Sequence, residues 1–581
     1  MLRRALPLYL LLTAVFCWPL FEAPTGVGIL DWDQHFFLYA AVAKSLFAFH
    51  QWPFWNPYYC GGNMLWQNPE VAVLSPAYLL ALVMPLQLAM KFNIALHYLA
   101  GLLGMHLLLR RSFAVTSWPL VTFLASTFAL GGGLAMHVGV GHATFLTFMY
   151  LPWLLHFTIQ ACSAATARAA LSPALAGGAC IALSAYNGGI YPVVMTGFAL
   201  GVFGLVASLV RRDWRPMAFV MLVGIAGGTY AAPKLLPIGA ALVDSRLLDA
   251  RPDLREPDSL TWGELKTSFV DPTRPADWVG WFEYGNYVGL VAGLLFLATM
   301  LYWLSTKPTR ERWLGVSLSV AAVLLLLLTR GTFSDYAPYT LLRELPIFSS
   351  LRKPSRYSMI FVLFAASAAA EALRVALKGQ SLSPALRRIG AIVLVLATAD
   401  LVWHNRAEFD GAMAQPPTDL DLQLTSRTPE PTFDTVSNGY GSNFAMMSGI
   451  ATNRDIVRCH ILLAPHKSVT PERNVIWADP GVRLSPIAFT PNRMSVTAST
   501  SASARVFLNQ NYITGWHATA GKFGIDPATG QGMTTLPAGF SGTVTFYYRP
   551  PGLITGVIIF LFGLTGTVIR QKAKSRRHKQ S

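Results

Sequence analysis

Two acidic residues stand where the first hydrophobic stretch of the chain ends. Asp31 and Asp33 flank Trp32, and an amphipathic run from about Gln34 to Gln51 follows. Carboxylates held at a membrane face are energetically expensive, so they are candidates for function. A carboxylate in reach of an attacking hydroxyl can take its proton as the oxygen forms its new bond. Asp also favours helix N-caps, so capping or local pairing is the competing interpretation, and a helix opening at Asp33 would leave only one acid for the chemistry.

A basic group precedes a later hydrophobic stretch. Arg352, Lys353 and Arg356 occur in the sequence Arg-Lys-Pro-Ser-Arg, directly before an apolar run. The guanidinium fork suits a phosphate and stabilises charge that grows on a leaving phosphate. An ordinary interfacial anchor with a snorkelling side chain is the alternative. Lys234, inside an apolar run, and Arg330, at the end of another, are two further candidates for contact with a phosphate.

The remaining polar candidates lie in turns between apolar segments. His35 and Glu70 would support the acid or bind the acceptor, although loop polar residues are usually only solvated. The other candidates for substrate contact are His137, His142, Tyr186, Asn187 and Tyr287. The two histidines flank a glycine-rich turn; a metal with Asp31 or Asp33 is conceivable, but backbone packing or an acceptor contact is favoured, and no metal ligand is assigned. A divalent cation is the only cofactor considered, and the aromatic turns suit sugar stacking or an interfacial belt equally.

The composition is that of a multi-pass membrane protein. Of the 581 residues, 53% are hydrophobic and only 13% are charged. The net charge of +16 resides in short clusters between apolar segments, which favours membrane topology over nucleic-acid binding. Among the five cysteines, Cys60 and Cys459 could both lie outside the cytoplasm and form a bridge. The N-terminal apolar segment has no small-residue cleavage site and is expected to be a retained first helix.

Twelve apolar segments have the length of membrane spans. We place them near residues 5–22, 92–109, 117–135, 143–160, 173–190, 192–210, 217–237, 286–304, 313–329, 356–376, 389–404 and 552–570. The stretch 71–90 is apolar but interrupted by Pro76 and Pro85, and we expect it to lie in the interface or re-enter. The main basic clusters between the spans then share one face, which the positive-inside rule makes cytoplasmic, together with both termini. The localisation expected is the inner (plasma) membrane.

The polar region near the C-terminus has a different pattern. Alternating runs at 494–498, 505–508 and 543–548 are separated by turn residues and predict a small β-sandwich. We expect three units: a transmembrane region at 1–404 with a first extracytoplasmic loop at 23–91, an extracytoplasmic sandwich at 405–550, and a last helix with a basic cytoplasmic tail at 551–581.

Several motifs together resemble those of the bacterial YfhO-like membrane proteins, within the wider class of GT-C glycosyltransferases. They are Asp31-Trp-Asp-Gln34, Pro53-Phe-Trp-Asn-Pro57 with Gly61-Gly62, Asn511-Tyr512, Gly515-Trp516, Leu536-Pro-Ala-Gly539 and Phe546-Tyr-Tyr-Arg-Pro-Pro-Gly552. The resemblance implies a GT-C core whose first extracytoplasmic loop carries the catalytic acid, and a polyprenyl-phosphate sugar as donor. Because such enzymes carry one acid or a pair here, the resemblance does not rank Asp31 against Asp33.

The favoured function is therefore a membrane glycosyltransferase. It would move a sugar from a polyprenyl phosphate to an envelope glycan, lipid or protein. A Walker motif, a dinucleotide fingerprint and HExxH are all absent from the sequence, which makes a cytoplasmic nucleotide-sugar donor less expected. A flippase or transporter of lipid-linked glycans, which would call for dispersed intramembrane polar residues and inverted repeats, and a non-catalytic envelope assembly factor are the alternatives.

Overall fold

A computed structural model describes most of the chain. The described residues are 2–244, 258–273, 280–345, 347–378, 383–415, 432–437, 450, 454–458, 468–470, 473–485 and 488–578. The helices are α1 (Leu2–Cys17), α2 (Trp32–Phe47), α3 (Pro76–Leu80), α4 (Leu86–Arg111), α5 (Trp118–Ala129), α6 (Gly132–Gly139), α7 (Leu151–Cys162), α8 (Ala167–Tyr186), α9 (Ile190–Arg211), α10 (Arg215–Leu242), α11 (Trp262–Val270), α12 (Leu290–Ser305), α13 (Trp313–Thr329), α14 (Pro338–Leu342), α15 (Tyr357–Ala376), α16 (Pro384–Arg406) and α17 (Leu553–His578).

The helical part has the hydropathy of a multi-pass membrane protein. Among the described residues, eight helical segments are long and apolar enough to cross a bilayer, and three shorter apolar helices accompany them. α16 corresponds to a further predicted span, but Arg387, Arg388 and Asp400 make it less apolar. The prediction of a polytopic α-helical membrane protein is confirmed, and the helix count is roughly as predicted.

The stretch from Val71 to Met90 does not form a membrane span of its own. α3 begins at Pro76, where the Ser75 hydroxyl accepts a hydrogen bond from the Ala77 N–H at 3.3 Å. Turns follow, and Pro85 immediately precedes α4. A helix as short as α3 rises only about 8 Å, far less than a bilayer's hydrocarbon core.

Two antiparallel sheets form the C-terminal part. One has the strand order β10 (Trp516–Ala518), β13 (Ser541–Tyr548), β8 (Arg493–Ser499) and β6 (Arg483–Leu484), and β7 (Ala488–Thr490) also pairs with β8. The other has the order β11 (Lys522–Ile525), β12 (Gly532–Leu536), β9 (Ala504–Leu508) and β5 (Ile476–Ala478). In β8 alternate side chains, Met494, Val496 and Ala498, are buried, as the period-two pattern predicts. The predicted C-terminal β-region is therefore present, and its exact domain boundaries stay predictions.

Short strand pairs complete the topology. β1 (Trp55–Asn56) and β2 (Asn63–Met64) form an antiparallel pair in the first loop, and β3 (Thr432–Ser437) lies parallel to β4 (Arg454–Arg458). Cys60, between β1 and β2, forms a disulfide bond, whereas Cys17, Cys162 and Cys180 are free. Cys459, the partner considered from the sequence, lies outside the described residues.

Candidate functional site

Asp31 occupies the N-cap of α2, but its side chain does not cap the helix. Its carboxylate Oδ2 instead lies 3.1 Å from Nε2 of His142. Two hydrogen bonds to backbone carbonyls fix this arrangement. The Asp31 N–H donates to the Val140 carbonyl at 3.1 Å, and the Trp32 indole N–H donates to the Val138 carbonyl at 2.9 Å. The start of α2 is thus bound to the segment that carries His142.

The histidines five residues apart form a stacked pair. Nδ1 of His137 lies 2.6 Å from Nδ1 of His142, and the ring centroids are 4.8 Å apart. His137 is at the C-terminal end of α6, so the short turn through Gly141 brings His142 back over it. Nε2 of His137 lies 3.9 Å from Oε2 of Glu283. The pair therefore lies between two carboxylates, Asp31 on one side and Glu283 on the other.

Glu283 forms a two-point ion pair with Arg356. Arg356 Nε donates to Oε2 at 2.9 Å and Nη2 donates to Oε1 at 2.6 Å. The guanidinium carbon lies 5.1 Å from the Phe145 ring centroid and 5.0 Å from that of Tyr191. Burial raises the pKa of Glu283, but the Arg356 charge and hydrogen bonds outweigh it and hold that pKa well below its usual range. Glu283 is therefore ionised, and the Arg356 guanidinium lies close to two aromatic rings.

These contacts join the predicted acid to the predicted basic group. We call Asp31, His142, His137, Glu283 and Arg356 the polar cluster. Burial raises the pKa of Asp31, but the hydrogen bond and charge of His142 outweigh it, so the net shift is downward. The Asp31 carboxylate is thus ionised at neutral pH and retains 29% exposure. It is the more exposed of the two carboxylates in the cluster, since the Glu283 side chain is only 12% exposed.

His35 and Asp33 lie beside the cluster on α2. Both are buried, and His35 is close enough to Asp31 and His142 for their charges to act on it. Burial is the largest effect and lowers the pKa of His35 to about 4, so its ring is neutral at neutral pH. Asp33 is in the first turn of α2 with 5% exposure. Asp31 is therefore the more accessible acid, a ranking that the sequence left open.

Arg352, Glu70 and Tyr191 extend the polar cluster toward solvent. Arg352 is exposed, and its charge acts on the Tyr191 hydroxyl together with those of Glu70 and Arg356. Lys353 Nζ instead donates to Asp258 Oδ2 at 2.9 Å and to the Tyr284 hydroxyl at 2.8 Å. Of the predicted basic residues, Arg352 is the one whose head group is both exposed and close to this region.

Two predicted basic residues have other partners. Lys234 is fully buried, and its ammonium donates to the carbonyls of Trp66, Asn68 and Val71 at 2.7, 2.9 and 3.2 Å. Arg330 lies over the Trp262 and Phe333 rings, at 4.6 and 4.2 Å from their centroids. Lys234 thus fixes the first loop, because a phosphate could reach its ammonium only after these hydrogen bonds were broken.

The residues selected from the predicted aromatic turns form hydrogen bonds with residues outside the polar cluster. The Tyr186 hydroxyl donates to the Tyr230 carbonyl at 3.0 Å, and Asn187 is buried with its amide on the Leu183 carbonyl at 3.1 Å. The Tyr287 hydroxyl donates to Asp400 at 2.6 Å. None of these three described contacts involves a member of the polar cluster, so a sugar-stacking role for these residues stays a prediction.

Part of the cluster has the composition of a metal site. One ligand atom each from His137, His142 and Glu283 lie within 4.8 Å of one another. Imidazole and carboxylate donors suit zinc and similar divalent ions, and Asp31 beside His142 could orient or join them. The sequence alone predicts no metal ligand here, because two histidines without a further ligand nearby are weak evidence and the acid that completes the group lies far along the chain.

Glu283 and Tyr191 were not selected as site residues from the sequence. Glu283 ends the short 3-10 helix Trp281–Glu283, and Tyr191 is the second residue of α9. The sequence does show that Glu283 is an acid in an aromatic turn between two predicted spans. That turn lies on the same predicted membrane face as Asp31. Only the folded arrangement shows that it reaches Arg356.

No protein-family model matches the sequence, and no curated protein matches it, so the YfhO-like resemblance stays a prediction. Among solved structures, the chain is similar to the arabinofuranosyltransferase AftD from Mycobacteria, with 13% identity, a TM-score of 0.46 and coverage of 94% of this chain and 40% of that chain. It is also similar to the Archaeoglobus fulgidus oligosaccharyltransferase, solved as a complex with Zn and sulfate, with 15% identity, a TM-score of 0.42 and coverage of 78% and 62%.

A further similar structure is ArnT from Cupriavidus metallidurans bound to undecaprenyl phosphate, with 13% identity, a TM-score of 0.38 and coverage of 76% of this chain and 84% of that one. The chain spans about 40% of the length of AftD. At such low identities and TM-scores, these likenesses do not identify a reaction for this chain.

Proposed function

We propose that the protein is a GT-C type membrane glycosyltransferase that moves a sugar from a polyprenyl-phosphate donor to an acceptor outside the cytoplasm. The observation that carries the proposal is the polar cluster, since its contacts run without a break from Asp31 to Arg356. A transferase of this type needs a proton acceptor and a phosphate-binding cation within one sugar phosphate of each other, and these residues supply both.

Asp31 is the proposed base. As the acceptor oxygen forms its bond to the anomeric carbon, the hydroxyl proton passes to the Asp31 carboxylate. The bond between that carbon and the phosphate oxygen breaks, and its electron pair leaves with the polyprenyl phosphate. His142, 3.1 Å from Asp31, orients the carboxylate for this step.

Arg352 and Arg356 are the proposed phosphate contacts, and the two arginines have different roles. Arg356 is already bound at two of its nitrogens by Glu283, so it contributes mainly a fixed field and its remaining N–H groups. Arg352 is exposed and available to close on the donor phosphate. Glu70, whose charge acts on Tyr191, is the proposed contact for sugar hydroxyls or the acceptor. A divalent cation held by His137, His142 and Glu283 would add a positive charge for the same phosphate.

The test is sugar transfer in vesicles loaded with polyprenyl-phosphate sugar. Asp31→Asn is expected to lower the rate by about 100-fold or more, because general-base catalysis contributes factors of that order. Arg352→Gln is expected to weaken use of the donor. Asp410→Asn and Arg493→Gln, at exposed positions that are not members of the polar cluster, are the matched controls and are expected to retain activity.

Other outcomes would favour the competing functions. Lipid movement across the vesicle that survives Asp31→Asn, without transfer, would favour a flippase or transporter. Glycan binding without either activity would favour an assembly factor. Full transfer activity in Asp31→Asn would refute the assignment of the base.

A further inference from the structure

An apolar groove on the surface of the helices is separate from the polar cluster. It lies between α1, α5 and α16 and has a volume of about 560 Å³, within the range of small-molecule sites. Its walls include Leu8, Leu12, Trp118, Val395 and Val402, and Arg406 is the one charged residue among the lining residues. The polar cluster instead places Arg356 against Phe145 and Tyr191, on other elements.

The groove has a polar end and an apolar body. Arg406 ends α16, and the amide of the adjacent Asn405 donates to the carbonyls of Leu130 and Tyr287, where α5 ends and α12 approaches. The Arg406 guanidinium carbon lies 6.0 Å from the Trp403 ring centroid, and the Trp403 side chain is 70% exposed. An arginine beside an exposed tryptophan is typical of the level at which lipid headgroups begin.

The length of the groove matches one lipid chain. From Val395 to Arg406 the helix rises about 16 Å, which is close to the half-thickness of a hydrocarbon core of about 30 Å. Val395 is 57% exposed and Trp118 is 38% exposed, so this surface is open. A chain lying along the groove would therefore reach from the headgroup level to about the middle of the bilayer.

We infer that this groove binds one acyl chain of an anionic phospholipid, with the lipid phosphate at Arg406. A phospholipid phosphodiester carries a single negative charge, which one guanidinium balances. The described part of the chain gives Arg406 no carboxylate partner, so its charge is available to a headgroup. A polyprenyl monophosphate carries up to two charges and has a chain longer than the groove, so it fits this site less well.

The test is native mass spectrometry of the purified full chain in detergent with added lipid. Phosphatidylglycerol and phosphatidylcholine with the same chains are the two probes, and polyprenyl phosphate is a third. We expect about fivefold more bound phosphatidylglycerol than phosphatidylcholine, the factor that one basic residue contributes near an anionic surface. Arg406→Gln should remove that preference, whereas Arg388→Gln, exposed near the other end of α16, should keep it.

A second variant tests the groove itself. Ala399→Trp places a large side chain in the groove and should reduce binding of both phospholipids without changing the fold measured by circular dichroism. Equal binding of the two phospholipids by the unaltered protein, or preferred binding of polyprenyl phosphate, would overturn the inference. So would a dimer that Ala399→Trp dissociates, because a second copy would then be the occupant.

Discussion

At the scale of single residues, Asp31 occupies a helix N-cap without forming the usual N-cap hydrogen bond. An aspartate at an N-cap usually accepts a hydrogen bond from the first turn of its helix. Here the side chain makes no such bond and lies against His142. The Asp31 carboxylate therefore contributes its contact to the polar cluster and not to the N-terminus of α2.

The first prediction concerns metal binding at His137, His142 and Glu283. Zn²⁺ or Mn²⁺ is expected to raise the melting temperature of the purified protein, because a ligand that binds only the folded state stabilises it by about 2.7 kcal/mol at 100 times its Kd. His142→Phe should abolish the shift, whereas His517→Ala, exposed on β10, should keep it. An equal shift in His142→Phe would place the ion elsewhere.

The second prediction concerns Asp455, which is fully buried and contacts the first loop. Burial raises its pKa to about 8, although a hydrogen bond from the Gly61 N–H at 3.1 Å opposes this. Between an unfolded pKa of about 4 and this value, the folded state holds a proton that the unfolded state has lost. Stability therefore falls as pH rises from about 4 to about 8, by up to about 1.4 kcal/mol per pH unit.

Asp455→Asn mimics the protonated form and should remove this part of the pH dependence. Denaturation midpoints at pH 5 and pH 8 measure it, and the variant is expected to gain stability at pH 8 relative to the unaltered protein. Asp410→Asn, at an exposed position, should leave the difference between the two pH values unchanged. A variant that is less stable than the parent at pH 8 would show that Asp455 is ionised in the folded state.

At the scale of elements, the turn between α6 and the following 3-10 helix (Ala143–Tyr150) holds His142 beside Asp31. Gly141 has φ of +102°, and a Cβ there would lie 2.2 Å from the Trp32 nitrogen. We predict that Gly141→Ala displaces the start of α2 from His142, at a cost of at least about 1–2 kcal/mol from the left-handed backbone alone. The expected results are a lower melting temperature and loss of transfer activity.

Gly197 provides the control for this substitution. It is in α9, and a Cβ there meets nothing within 4 Å, so Gly197→Ala should be neutral or slightly stabilising. If Gly141→Ala retained both stability and activity, the close approach of this turn to Asp31 would not matter for the site.

The elements also show what the sequence could and could not predict. Hydropathy located most of the membrane helices, and alternation located β8, β9 and β13, because both signals are local in the chain. Proline positions correctly argued against a span at 71–90. The pairing of Glu283 with Arg356 and the burial of Lys234 on loop carbonyls depend on how distant segments pack, and no local pattern encodes that.

At the scale of the whole molecule, the first loop is held between the membrane helices and the C-terminal sheets. The Trp55 indole N–H donates to Gln510 at 2.9 Å, and the Trp55 ring lies 5.0 Å from that of Trp516 and 4.7 Å from that of Tyr548. Of these residues, Trp55, Trp516 and Tyr548 belong to the motifs that carry the family resemblance. These motifs are far apart in the sequence but contact one another in the fold. The shared interface gives a physical reason for their occurring together.

The last prediction tests whether this interface supports the site. The Asn511 side chain donates to the carbonyls of Cys60 and Gly62 and accepts from the Ser468 N–H at 2.9 Å. Asn511→Leu leaves these buried groups unpaired, at about 1–3 kcal/mol for each, and should lower the melting temperature. Because the same loop carries Asp31, transfer activity and resistance of residues 23–91 to proteolysis should fall together, although Asn511 does not contact the polar cluster.

Asn474→Leu, at an exposed position in the same region, is the matched control and should change neither property. The two halves of the molecule share buried hydrogen bonds through the first loop, so the variant should still unfold in one transition, at a lower temperature. Two separate transitions, or a proteolysis pattern like that of the parent, would mean that the sheets only cover the loop. The position of the proposed base would then depend on the membrane helices alone.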